Sequence, residues 1–260
     1  MNAITPAQEL RQNLEAMKPQ FQMALPEHIS VEKFTRVVQT AINNTPALLQ
    51  ADRHSLFSAC MQSAQDGLMP DGKSSAFVTF KGKDGVQKVQ YMPMIAGLLK
   101  LVRNSGELLS ITSQLVYEAD MFKYYVDEEG EHLKHEPNIL AGNRGNLIGA
   151  YALAKTKDGG VYIEVMSMEQ LNQVRNSSRS KDYGPWATFP TEMYRKTVLR
   201  RLIKRLPLST DVDFQDENDY EFVNEEPVIQ QTESKKNKPK KLTEIIESQN
   251  QNKKEEVTNE

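Results

Sequence analysis

The sequence predicts an α+β fold in which helices pack on an antiparallel β-sheet, followed by a flexible acidic C-terminal tail. Apolar residues recur at helical spacing before residue 67 and after residue 168, whereas strand-like runs joined by Gly/Asp turns lie between them. Residues 211–260 are polar and rich in acids, so they cannot bury enough surface to offset chain entropy. Helices, then strands, then helices along one chain are typical of the α+β class.

The first part of the chain is expected to be helical. Residues 1–25 are expected to form a loosely attached helical segment, and a folded core is expected to span residues 26–210. Ser30 is a suitable N-cap for the next helix. The segment DRHSLFSACMQSAQDG continues as a helix that Gly67 closes. It holds the single cysteine, Cys60, whose apolar neighbours predict a buried, inert thiol.

The middle of the chain is expected to form antiparallel strands. AFVTF and QKVQYMP read as a hairpin around KGKDG, and MIAGLLKLVRNSG returns to helix. LLSITSQLVYEADMFKYYV reads as a strand, with HLKHEP pairing back after the turn DEEGE. GNLIGAYALAKTKDGGVYIEVMS is a further hairpin, and MEQLNQVRNSS is a helix.

The stretch Glu192–Pro207, EMYRKTVLRRLIKRLP, predicts a helix with two opposed faces. At 100° per residue, one face is apolar and the other is basic. The apolar face contains Val198, Leu199, Leu202, Ile203 and Leu206. The basic face contains Lys196, Arg200, Arg201, Lys204 and Arg205. A helix docked by its apolar face would present these cations outward in a rigid row.

A basic loop, RNSSRSKDYGPW, precedes this helix and carries Arg179, Lys181 and the single tryptophan, Trp186. From Arg175 to Arg205 there are nine Lys/Arg and two acids. Cations beside an aromatic ring are what a nucleic-acid strand requires. The alternatives are a solvated charged face for the helix and a core position for Trp186.

Net charge differs between the two parts of the chain. The total is −3, but residues 1–210 carry 25 basic and 21 acidic side chains, against 7 and 14 in residues 211–260. A basic body with an acidic tail fits a nucleic-acid binder. No signal-peptide pattern or apolar run of membrane-spanning length is evident, which predicts a soluble, cytoplasmic protein without a membrane role.

Three motifs suggest enzymes, but their contexts argue against it. GLMPDGKS (residues 67–74) matches the phosphate-loop pattern, yet a helix enters it and a strand leaves it, the reverse of the required order. Lys73 is instead a candidate for contact with a nucleic-acid backbone. His132 and His135 lack further zinc ligands nearby in the sequence. The acids of residues 211–226 lie in the tail rather than at the rim of a packed site.

Several ordered motifs resemble the RecT family of phage and prophage single-strand annealing proteins, over roughly residues 22–209. GPWATFPTEMYRKTVLRRLIKRLP is similar to the family pattern G-P-W…E-M…K-T-x-x-R-R-L-x-K-x-L-P. The other matching stretches are ALPEHISVEKFTRV, CMQSAQDGLMP, GLLKLVRNSG, VYEADMF and AYALAKTKDGGVYIEVMSMEQL. PDGKSSAFVTF departs from the turn that relatives often carry.

This resemblance implies a protein of the bacterial host cytoplasm that is not an enzyme. It implies that the protein binds single-stranded DNA and anneals complementary strands in recombination, with residues 26–210 as the DNA-binding and annealing core. It implies helical homo-oligomers that hold the nascent duplex, no ATP or other cofactor, and two partners: a 5′–3′ exonuclease and the host single-strand-binding protein. The rival interpretations are a nucleotide- or metal-dependent DNA-processing enzyme and an RNA-binding protein. Subunit number, filament geometry and the identity of the exonuclease stay open.

Nine residues are the candidate DNA contacts: Lys196, Arg200, Arg201 and Lys204 of the helix, Arg179, Lys181 and Trp186 of the loop, and the more distant Arg103 and Lys73. Residues 211–260 are expected to be a disordered partner-docking tail. A short apolar face at Leu242, Ile245 and Ile246 would contact the partner, and the family also places partner binding near the C-terminus.

Overall fold

The computed structural model describes residues 5–140, 142–178 and 180–206. The helices in these residues are α1 (Pro6–Ala16), α2 (Lys18–Ala24), α3 (Val31–Asn44), α4 (Ala47–Gln50), α5 (Arg53–Gln65), α6 (Ile95–Asn104), α7 (Met168–Ser177), α8 (Pro185–Thr188) and α9 (Pro190–Ile203). The strands are β1 (Ser75–Lys81), β2 (Gln87–Pro93), β3 (Leu108–Tyr117), β4 (Met121–Asp127), β5 (Gly130–Glu136), β6 (Leu147–Thr156) and β7 (Val161–Ser167).

All strand pairs are antiparallel. β1 pairs with β2, β4 pairs with β5, and β3, β6 and β7 form a three-stranded sheet with β6 in the centre. Helices pack on these strands, so the predicted α+β class is confirmed. The predicted tail lies outside the described residues, as does its boundary at residue 210.

The N-terminal helices are closely packed. Thr5 and Gln8 form a capping box at α1, and the Ser30 hydroxyl accepts a hydrogen bond from the Lys33 N–H at the start of α3. Leu10 and Leu14 are 1% exposed and Phe21 is fully buried. These side chains join one hydrophobic core with residues of α3 and α5. The loose attachment expected for residues 1–25 stays a prediction.

Cys60 lies in this same core, as predicted. It is fully buried, and burial raises the pKa of its thiol. A thiol held in its neutral form by an apolar environment is a poor nucleophile.

The run predicted as one strand, LLSITSQLVYEADMFKYYV, is divided into β3 and β4, which join different sheets. The turn between them is built by Asp120, whose Oδ2 accepts the Tyr117 N–H at 2.9 Å and whose own N–H donates to the Tyr117 carbonyl at 3.0 Å. β4 therefore leaves the central sheet and pairs with β5 as a separate hairpin. Apolar and aromatic residues stand on both sides of this turn, so the sequence pattern did not predict that the strand divides there.

A second core forms where the three-stranded sheet meets the C-terminal helices. Ala150, Ala152 and Ala154 alternate along β6, lie on one face of the sheet and are fully buried. Their small side chains let α9 approach the sheet closely. Leu98 and Val102 of α6 complete this core, so that α6, α7 and α9 all cover the same sheet face.

Candidate nucleic-acid interface

Helix α9 is docked on the central sheet by the apolar face that the sequence predicts. Val198, Leu202 and Ile203 are fully buried and Leu206 is 7% exposed, while Leu199 is partly buried. Burying such a side chain stabilises the fold by about 1.5–3 kcal/mol. The helix is therefore a fixed element, and its remaining side chains have defined positions.

The arginines at the C-terminal end of α9 are engaged with carboxylates of the fold rather than presented as an open row of cations. Arg201 Nε lies 2.9 Å from Glu164 Oε1 on β7. Arg205 Nη1 lies 3.3 Å from Glu164 Oε2, and Arg205 Nη2 lies 3.0 Å from Glu131 Oε1 on β5. The hydrogen bond with Glu131, followed by the charge of that carboxylate, raises the pKa of the Arg205 guanidinium. This differs from the outward row that the helical wheel predicted, because the wheel cannot show acids on β5 and β7.

The other candidate cations of α9 are partly buried. Arg200 Nη1 donates a hydrogen bond of 3.1 Å to the Pro93 carbonyl at the end of β2, which ties α9 to the β1–β2 hairpin. Lys196 and Lys204 also have partly buried side chains. These three residues and Arg201 stay predicted DNA contacts, and the structure adds a role within the fold for Arg200 and Arg201.

The basic loop before α9 is a series of tight turns. The guanidinium of Arg175 donates from Nε and Nη2 to the Lys181 carbonyl, both at 3.3 Å, and the Tyr183 N–H donates to the Ser180 carbonyl at 3.1 Å. Lys181 is partly buried. Arg179, predicted to contact DNA from this loop, lies outside the described residues.

Trp186 occupies the core position that was one of its two interpretations. Its side chain is 1% exposed, and its ring meets that of Tyr194 edge-on with centroids 5.8 Å apart. A stacking role would require the ring to leave this core. Two neighbouring rings are instead open to solvent, since Tyr183 is 63% exposed and Phe189 is 61% exposed. The sequence pattern did not single out these two positions, because Tyr and Phe recur along the chain whereas Trp186 is the single tryptophan.

The phosphate-loop pattern has the reversed context that the sequence indicated, between α5 and β1. Its backbone N–H groups are also already used. Asp71 Oδ1 accepts the Lys73 N–H at 2.8 Å and the Ser74 N–H at 2.7 Å. A carboxylate therefore occupies the donors that a phosphate would need. The Lys73 side chain is exposed on this turn and stays a predicted contact with the nucleic-acid backbone.

Arg103 is exposed in the last turn of α6. A cation at this place interacts favourably with the helix dipole, which is a structural explanation for its presence. Its predicted DNA contact stays a prediction.

His132 and His135 do not converge, because residues three apart on β5 point to opposite faces. His132 Nε2 lies 2.8 Å from Asp127 Oδ1 on the outer face of the hairpin. His135 is on the inner face, with Nε2 3.2 Å from Asp120 Oδ2 and Nδ1 3.2 Å from the Tyr151 hydroxyl. Across residues 5–140, 142–178 and 180–206, no group of three or more His, Cys, Asp or Glu side chains could hold a metal ion.

A buried clasp fixes the β4–β5 hairpin to the central sheet. The Asp120 side chain is fully buried and receives Nε and Nη2 of Arg144 at 3.1 and 2.5 Å. Burial by itself raises the pKa of the Asp120 carboxyl, but hydrogen bonds from Arg144 and from the Tyr117 and Asn138 N–H groups outweigh it and hold that pKa below its usual value. Glu131 belongs to the same hairpin and forms the ion pair with Arg205. The contacts of Asp120 that fix the hairpin therefore also help to hold the Glu131 carboxylate near the end of α9.

None of the described helices is long and apolar enough to cross a membrane.

The sequence is similar to those of known proteins over most of its length. The family model described as RecT family matches residues 32–239. The chain is also similar to Protein RecT of Escherichia coli (strain K12), with 35% identity over 205 residues, which cover 77% of this chain and 75% of that protein.

Proposed function

The chain belongs to the RecT family, and from this premise we propose that it binds single-stranded DNA and anneals complementary strands without ATP. Family membership over residues 32–239 is the observation that carries this proposal. It identifies a recombination protein of the single-strand annealing type, and the physical features described above supply a means of binding.

Positive charge is concentrated in residues 180–206, where we propose that the DNA strand lies. Residues 180–206 carry seven Lys/Arg and two acids. They form a turn and a helix that are anchored to the core by Trp186, Val198 and Leu202. A fixed scaffold reduces the entropy lost when a flexible strand binds, and neutralised phosphates release their counterions.

Annealing follows from binding through the backbone. Two strands repel each other, and neutralising the phosphates of one strand lowers that repulsion while leaving base edges available. A second strand then samples registers, and each correct step adds about 1.4 kcal/mol of pairing and stacking. A protein that reads no sequence would in this way still select complementary strands. Homo-oligomers along the strand would add many weak contacts into durable binding.

The absence of an ATP requirement is supported by the turn at residues 67–74. Its reversed helix-to-strand order and the capture of the Lys73 and Ser74 N–H groups by Asp71 leave no phosphate cradle in that turn. We therefore propose that this turn binds no nucleotide, and that the protein anneals strands without a cofactor and without catalysing a covalent reaction.

Annealing of two labelled complementary DNA oligonucleotides, without nucleotide or divalent metal, tests the proposal. We expect the protein to accelerate annealing above the spontaneous rate, with no further gain from ATP. Matched RNA oligonucleotides and a non-complementary DNA pair are the controls. Annealing that requires ATP, cleavage of the strands, or acceleration confined to RNA would overturn the proposal.

The partner interactions belong to the same proposal. A 5′–3′ exonuclease would supply the single strand and the host single-strand-binding protein would coat it, with docking through residues 211–260, which lie outside the described residues. Truncation after Ser209 should leave annealing of purified protein intact and reduce recombination in cells. Loss of annealing by a truncated protein that is still folded would place the tail within the annealing machinery.

A further inference from the structure

Two exposed aromatic rings flank the buried Trp186. Tyr183 and Phe189 are 63% and 61% exposed, which is more than any other exposed aromatic side chain in the described residues. Leaving a ring of this size in water forgoes the stabilisation that burial provides. Phe189 has no polar atom that would benefit from solvent.

The backbone holds both rings outward. Gly184 has φ of +67°, a conformation that L side chains rarely adopt, and its carbonyl accepts the N–H groups of Ala187 and Thr188 at 3.1 and 3.0 Å. The Phe189 N–H donates to the Pro185 carbonyl at 2.7 Å. With Trp186 seated in the core at the centre of this turn, the residues on either side are presented at the surface.

These rings lie in the most basic part of the described chain. Lys181 is two residues before Tyr183 and is held in the same set of turns by Arg175. Phe189 immediately precedes α9, which carries Lys196, Arg200 and Arg201. Exposed rings within a basic segment match the two parts of a nucleotide in a single strand, whose bases have open π-faces and whose phosphates are charged.

We propose that Tyr183 and Phe189 are the base-stacking residues of this protein, and that Trp186 is the core anchor which positions them. The inference rests on the proposed function, because bases are open to stacking only when the DNA is single-stranded. Lys181 contacts a neighbouring phosphate in this arrangement.

The test separates base contacts from backbone contacts. Tyr183→Leu and Phe189→Leu keep apolar bulk but remove the rings, and Tyr125→Leu on the β4–β5 hairpin is the matched control for loss of an exposed ring. Binding of oligo(dT) and of an abasic oligonucleotide with the same number of phosphates is measured by fluorescence anisotropy at several salt concentrations. Thermal unfolding of each variant verifies that it is folded.

We expect each ring substitution to weaken oligo(dT) binding by roughly 5- to 150-fold, the range that removal of one base–aromatic stack produces. Abasic binding and the salt dependence should be unchanged, and Tyr183→Phe should keep the affinity of the original protein. Equal losses on both oligonucleotides, or no loss on either, would overturn the inference while leaving annealing intact. Failure of the unaltered protein to bind any single strand would overturn the proposed function itself.

A second measurement applies even if the leucine variants unfold. Phe189→Trp combined with Trp186→Phe makes position 189 the single indole of the chain. Stacking predicts that oligo(dT) quenches its fluorescence more strongly than the abasic strand. Fluorescence that responds equally to both strands would place the ring away from the bases.

Discussion

The basic turn and helix of residues 180–206 and the β4–β5 hairpin both expose aromatic rings beside cations, but their surrounding charge is opposite. On the hairpin, Tyr125 stacks on His132 with ring centroids 4.8 Å apart, and Lys123 Nζ lies 4.7 Å from the Tyr125 ring centroid. Residues 121–136 contain two lysines and five acids, whereas residues 180–206 contain seven basic and two acidic side chains. A DNA strand bound to either region would respond to the net charge within one Debye length, about 8–10 Å, rather than to a single cation.

The hairpin shows how cations can be present without forming a phosphate site. Lys134 Nζ lies 2.8 Å from Glu136 Oε1. A carboxylate of the hairpin therefore already offsets the positive charge of Lys134. The same effect extends into α9, where Glu131 and Glu164 engage Arg205 and Arg201. A ring beside a cation therefore indicates nucleic-acid binding only where neighbouring acids leave positive charge in excess.

The largest expected effect concerns the core anchor of the basic region. Trp186→Ala should lower the free energy of unfolding by about 3–5 kcal/mol, because it leaves a cavity at a fully packed position. Denaturant unfolding followed by circular dichroism measures this loss. Trp186→Phe is the control and should lose far less, since it keeps a ring and removes an indole N–H that has no acceptor among the described residues. If Trp186→Ala left the stability unchanged, Trp186 would not be the residue that anchors this region in the core.

The next effect concerns attachment of the hairpin. Asp120→Asn should destabilise the protein by about 2 kcal/mol, because it removes a buried carboxylate that receives charge-assisted hydrogen bonds from Arg144. Since folding holds the pKa of Asp120 below its usual value, its stabilising contribution is complete above that usual value and is lost as the pH falls below it. Unfolding measured between neutral and acidic pH should show a shallower acid loss in the variant. Parallel pH profiles would show that this clasp does not couple to protonation.

The smallest effect sharpens the comparison within the basic region. Lys181→Ala should reduce the slope of log affinity against log salt by about 0.7, the value expected when one fewer phosphate of a single strand is neutralised. Arg201→Ala should reduce it less, because Glu164 already offsets the charge of Arg201. Lys134→Ala on the hairpin is the matched control and should leave the slope unchanged. Equal reductions for Lys181 and Arg201 would show that the Glu164 ion pair opens when DNA binds.

Local patterns in the sequence predicted most of the elements. Ser30 marked the start of α3, Gly67 followed the end of α5, and the Gly/Asp turns marked the β1–β2 and β6–β7 hairpins. The division between β3 and β4 escaped the pattern because apolar residues stand on both sides of the Asp120 turn, and because Arg144, which holds the Asp120 side chain, lies more than twenty residues away. Periodicity reports on neighbours along the chain and carries no information on such contacts.

The sequence by itself determined the family, the α+β class and the opposed faces of α9, since periodicity, turn residues and ordered motifs are local properties of the chain. Only the tertiary structure decided which side chains of the basic region are open to a ligand. It buried Trp186 against Tyr194, left Tyr183 and Phe189 exposed, and brought Glu131 and Glu164 to the arginines of α9. The physical reason is that exposure and net field depend on which distant strands pack beside a helix, and a helical wheel contains only the helix.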